Sequence, residues 1–81
     1  MPTYRPHVLE ALAAHGLAPR PDTSPWFLRD ALNDLYRHEI RGLRDRCRAG
    51  EIPVKELAAR VVVLRRRYLV LSLPLAAWTV D

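Results

Sequence analysis

Four arginines fall at steps of four, three and four: Arg37, Arg41, Arg44 and Arg48. On an α-helix this spacing puts them on one stripe, about 16 Å long at a rise of about 1.5 Å per residue. A row of guanidinium groups does the chemistry of anion recognition, since each offers a planar fork of donors that fits carboxylates and phosphates. The row therefore suits an acidic protein surface or a phosphate backbone. The plainer alternative is a solvated helix face on which Asp45 pairs with Arg41 at i, i+4 and with Arg48 at i, i+3. Two features count against nucleic acid. No aromatic residues alternate with the arginines to stack bases. The Pro-rich connector at 18–25 is too long and stiff for a helix-turn-helix.

The other reactive side chains do not assemble into a reaction. His38-Glu39-Ile40-Arg41-Gly42 begins like a zinc-protease helix, but glycine stands where the second metal-binding histidine would have to be. Cys47 is the single cysteine, which excludes an intramolecular disulfide and a multi-thiolate metal site within one chain. It falls on an apolar stripe, where a free thiol behaves as a small hydrophobe. Asp30 and Asp34 form an i, i+4 acidic pair, but on a wet helix face rather than in a pocket. Gly16, Gly42 and Gly50 are isolated, so no glycine-rich loop cradles phosphate. The sequence thus predicts no enzyme, with no catalytic residues, no metal, no cofactor and no small-molecule substrate.

Helices must position the arginines, and the apolar spacing supplies them. A first helix is expected over about 6–15, with Tyr4, Val8, Leu12 and Leu9 on its apolar side. Gly16 is placed to terminate it in the left-handed region, with Leu17 as the closing hydrophobic contact. Ala18-Pro19-Arg20-Pro21 cannot continue a helix. A second helix, about 24–49, starts at a Thr23 or Ser24 cap with Pro25 in its first turn. Leu28, Leu32, Leu35/Tyr36, Ile40, Leu43 and Cys47 then recur at helical steps until Gly50. This helix is roughly 38 Å long. A third, about 53–68, carries Val54, Leu57, Ala58, Val61, Leu64 and Tyr68 on one seam. Val61-Val62-Val63 favours a strand locally, but the surrounding period predicts helix.

The turn at Gly50–Pro53 is short, so the second and third helices should be antiparallel neighbours. Counting outward from it pairs Cys47 with Val54, Leu43 with Ala58, Ile40 with Val61, Tyr36 with Leu64 and Leu32 with Tyr68. The tail, 69–81, is apolar, and its alternation of Leu71, Leu73 and Leu75 with Ser72 and Pro74 reads as an extended strip with one face down. Ala76–Trp78 fits a short helical turn. The predicted fold is all-α: an antiparallel hairpin of a long and a shorter helix, an N-terminal helix packed across it, and an apolar, partly extended C-terminal tail, in one small domain over 1–81.

The chain has 81 residues, with 13 Lys and Arg against 9 Asp and Glu, and about half its residues are hydrophobic. That is too short for two domains and too apolar for wholesale disorder. Ordering each residue costs about 1.5 kcal/mol, which a core of this size roughly balances. Good helix packing or a partner chain must add to it. The charge is concentrated: residues 37–67 hold ten basic and four acidic groups, a net of +6, whereas residues 1–36 are net −1. Twelve of the thirteen basic residues are arginine, as a GC-rich genome would also produce.

Large aromatic residues beside arginine are what binding surfaces concentrate. Trp26, Phe27, Leu73 and Trp78 are therefore the candidate apolar interface, brought together if the tail folds back on the start of the second helix. Arg65, Arg66 and Arg67 cannot share a helix face; Arg65 and Arg67 flank the seam and Arg66 points away. With Tyr68, the tail and Trp78 they could make an interfacial membrane anchor, a role ranked behind the tail's need to cover the second helix. The uncharged stretch Tyr68–Val80 is too short to span a bilayer. Met1 to Arg5 does not read as a secretory signal, so the cytoplasm is expected. The functional expectation is a non-catalytic protein–protein interaction module, either a small accessory subunit or adaptor or a homo-oligomer. The arginine stripe would steer an acidic surface. RNA or DNA binding through Arg37, Arg41, Arg44 and Arg48 is the second reading.

Overall fold

The structure, a computed structural model, describes residues 3–80. Met1, Pro2 and Asp81, which enter the readings of the N-terminus and the tail above, lie outside the described residues. In chain order come β1 (Thr3–Tyr4), α1 (Pro6–Ala13), α2 (Pro25–Arg48) and α3 (Val54–Arg67). Two 3-10 turns, Leu69–Ser72 and Leu75–Ala77, and a second short strand, β2 (Thr79–Val80), follow. The fold is mostly helical, and α2 and α3 pack together as the hairpin that the apolar period predicts.

Local chemistry sets the boundaries. Ser24 caps α2, its hydroxyl accepting from the Trp26 N–H at 3.2 Å, and Pro25 occupies the first turn. At the other end Gly50, at φ 81, donates to the Cys47 carbonyl, and Glu51 donates to that of Arg46. Gly16, at φ 77, closes α1 in the same way: it donates to Ala13, and Leu17 donates to Leu12, both at 3.0 Å. These are Schellman closures, in which a left-handed glycine satisfies the last carbonyls. That closure occupies the final turn, so α1 ends at Ala13 rather than His15. Val61, Val62 and Val63 are helical, since the seam on which Leu57, Val61 and Leu64 lie outweighs a three-residue strand preference.

The core lies at one end of the molecule. Tyr4, Val8 and Leu12 enter it from the N-terminal segment, Leu28 and Leu32 from the start of α2, and Leu64 and Tyr68 from the end of α3. Val70 and Trp78 close it from the tail. Beyond this head the two helices continue as an arm, on which Ile52 at the corner is the buried hydrophobic residue. The molecule accordingly measures 48 × 17 × 17 Å.

Several expectations are corrected. Val54 is 79% exposed and does not cover Cys47; Ile52 is the buried residue at the corner. Leu9 lies largely outside the α1 core face. The tail is not one extended strip but two 3-10 turns joined at Leu73–Pro74, which alone are extended between them. Leu71, Leu73 and Leu75 are nonetheless half-buried and Ser72, Pro74 and Ala76 exposed. The tail then pairs with the chain's start, Thr3 opposite Val80 and Tyr4 opposite Thr79, in an antiparallel ladder extended by the Arg5 N–H to the Trp78 carbonyl at 3.0 Å.

Candidate functional site

A helical hairpin buries one stripe of each helix and leaves the seam open on two sides. In the head the tail and α1 supply cover; along the arm, among the described residues, nothing does. One groove has Tyr36, Ile40, Leu57, Ala58, Val61 and Val62 as its apolar floor, and Arg37, Arg41, Arg44 and Arg65 also line it. Its volume is about 830 Å³. The groove on the other side, about 660 Å³, has Gly42, Leu43, Ala59, Val63 and Leu64 between Glu39, Glu56, Arg46, Arg60 and Arg67.

The two grooves differ in charge. Around the second, Glu56 pairs with Arg60 at i, i+4, and Arg46 pairs with Glu51, both at 3.7 Å. Around the first, Arg37, Arg41, Arg44 and Arg65 make no ion pair among the described residues, and no acidic side chain lines it. Asp45 forms neither of the pairs with Arg41 and Arg48 that the sequence offers. Such exposed pairs gain little over hydration and confine long side chains, so spacing alone does not make them form. Arg48 is exposed but does not line the groove. Arg65 completes the rim from α3; its position one residue past Leu64 on the seam was the available signal.

The predicted apolar cluster does not assemble as one surface. Trp78 is fully buried and belongs to the core, and Leu73 is half-buried against it. Trp26 and Phe27 are 65% and 68% exposed. The physical reason is angular: at about 100° per residue, Trp26 lies nearly opposite Leu28 on α2 and Phe27 a quarter-turn away. Neither can follow Leu28 into the core.

A polar cluster that the spacing did not announce fastens the head to the base of the arm. The Tyr68 hydroxyl donates to Glu39 Oε2 from across the hairpin. The Tyr68 ring stacks on His15 with centroids 4.1 Å apart and meets Tyr36 in a tilted contact at 5.1 Å. His15 Nε2 donates to the Arg67 carbonyl at 2.7 Å, satisfying one of the open carbonyls at the end of α3. Burial is the first cause that pushes the Tyr68 phenol up; the hydrogen bond to Glu39 and its negative charge add to this, and Arg67 opposes. The described residues hold no group of three His, Cys, Asp or Glu near enough to share a metal ion. Among them no helix is long and apolar enough to cross a membrane.

Gly42 sits in the middle of α2 with nothing within 4 Å of where a Cβ would stand. Glycine costs a helix interior about 0.5–1 kcal/mol relative to alanine. Gly42→Ala should therefore stabilise the isolated chain by about that amount and raise the thermal midpoint by a few degrees. A lowered midpoint in a thermal melt would show that the space beside Gly42 is occupied in solution.

No protein-family model, curated protein or solved structure matches the chain.

Proposed function

We propose that the chain is a non-catalytic protein–protein interaction module with a basic helix face, acting as a small accessory subunit or adaptor of a larger complex, or as a homo-oligomer. One observation carries this reading: the arm holds its apolar seam open on both sides, with Val54, Val62 and Val63 exposed. Uncovered apolar area of this kind marks interaction sites, and an 81-residue chain gains stability by covering it. Trp26 and Phe27 add a second exposed apolar patch at the head. A cytoplasmic setting belongs to the same proposal and suits the free thiol of Cys47.

The second reading, RNA or DNA binding through Arg37, Arg41, Arg44 and Arg48, draws support from the absence of ion pairs to these arginines among the described residues. Sedimentation of the untagged chain in extract from its native cells separates the two. The interaction reading expects a mass well above 9.3 kDa that survives nuclease and moderate salt. A complex that collapses on nuclease treatment, with affinity falling steeply as salt rises, belongs to the second reading. A monomer in the native extract overturns the first.

A further inference from the structure

We propose that the arginine-rimmed groove of the arm receives an acidic amphipathic helix of a partner protein. The inference rests on the interaction reading and gives it a partner chemistry. The floor is apolar, formed by Ile40 from α2 and by Leu57, Val61 and the exposed Val62 from α3. The groove runs along two antiparallel helices, and a third helix is what fits such a seam, its apolar face read at i, i+3, i+4 and i+7. From Val54 to Arg65 the lining covers about three helical turns of α3, which sets the length of the occupant.

The rim specifies charge. Arg37, Arg41 and Arg44 stand at i, i+4 and i+7 on α2, and Arg65 faces them from α3. All four lack an ion-pair partner among the described residues. A helix with glutamate or aspartate on both flanks of its apolar face would satisfy both walls. Exposed pairs of this kind add modest affinity but select the sign of the partner and speed encounter. A second copy of this chain is a poorer occupant, because two-fold pairing of this groove with itself sets arginine rows against each other. Nucleic acid is poorer too. Its phosphates would leave the apolar floor wet, and Tyr36, the aromatic residue of the floor, is already packed on Tyr68.

The test uses the full chain, uniformly labelled for amide NMR, and two synthetic helical peptides. Both have leucine on one face; one carries glutamate on both flanks and its twin carries lysine. The glutamate peptide should bind at least ten-fold more tightly at low salt, the gap should narrow as salt is added, and the shifted amides should map to Ile40, Ala58 and Val62. Arg41→Glu with Arg44→Glu should weaken it about ten-fold, and Arg41→Gln with Arg44→Gln should do so less, with helical circular dichroism unchanged. Equal binding of the twins, or binding of neither, overturns the proposal. Shifts confined to Trp26 and Phe27 overturn it while leaving the interaction reading intact. A single-stranded RNA oligomer that shifts the groove amides when the glutamate peptide does not would overturn the proposal and favour the second reading. A monomer in native extract overturns the interaction reading and, with it, this proposal, however tightly the glutamate peptide binds.

Discussion

Replacing Trp78 by alanine should destabilise the head more than replacing it by phenylalanine or replacing Trp26 by alanine. Trp78 is the largest of the fully buried side chains, and it shares its core with Val8, Leu12 and Leu32. Truncating a buried tryptophan costs about 3–5 kcal/mol from lost burial and the cavity left behind. A chain of this length has a total stability of roughly 4–12 kcal/mol, so the loss is a large share of the whole. The indole Nε1 is also buried without an acceptor among the described residues. An unsatisfied donor of this kind costs about 1–3 kcal/mol. Trp78→Phe, which removes the donor and keeps much of the ring, should therefore lose far less than Trp78→Ala. Trp26→Ala is the matching control, since an exposed side chain should change stability by no more than about 0.5 kcal/mol. Urea midpoints of the three variants decide it: equal midpoints for Trp78→Ala and Trp26→Ala would mean that the tail does not close the core.

The second large effect lies in alkaline solution. The Tyr68 and Tyr4 phenols are both held above the usual tyrosine value, Tyr4 by burial and Tyr68 by burial and then Glu39. Below about pH 10 both states keep these protons, and the two groups leave stability independent of pH. Above it the unfolded chain releases them and the folded chain retains them, so the folded state binds more protons and stability falls with rising pH. Each retained proton contributes a slope of about 1.4 kcal/mol per pH unit until the folded group itself ionises. Urea midpoints from pH 8 to 12 should stay level and then drop, and Tyr68→Phe should shift the whole curve down slightly and flatten the drop. A drop of the same steepness in Tyr68→Phe, or native tyrosinate absorbance rising with that of free tyrosine, would contradict the burial of Tyr68 and its half-buried contact with Glu39.

What the sequence made legible was what repeats or punctuates. Leu28, Leu32, Ile40 and Leu43 recur at helical steps, and all are buried or half-buried on α2. Ser24, Gly16 and Gly50 act as stops and starts because cap chemistry is local. The tail's alternating burial was visible, and so was a helical turn near Ala76, one residue from where Leu75–Ala77 forms it. The turn at Leu69–Ser72 was not, since burial constrains which side faces inward and not how the backbone gets there. A two-residue strand has no period to detect, so the pairing of Thr3–Tyr4 with Thr79–Val80 left no trace. The four α2 arginines could be placed on one stripe, but their rim needed Arg65 from another helix. The contacts of Tyr68 with Glu39, His15 and Tyr36 depend on how three segments meet, which no spacing within one segment encodes.

The antiparallel β1–β2 ladder brings Thr3 and Val80 side by side. Tension applied at both ends would peel its hydrogen bonds one after another, like a zipper, rather than shear them together. The next residues to feel the load are Tyr4 and Trp78, both buried in the head. The corner at Ile52 lies outside this line of force. Stretching from Thr3 and Val80 would load the core first and reach the arm last, so the order in which the molecule gives way is set by this short ladder and not by the long hairpin.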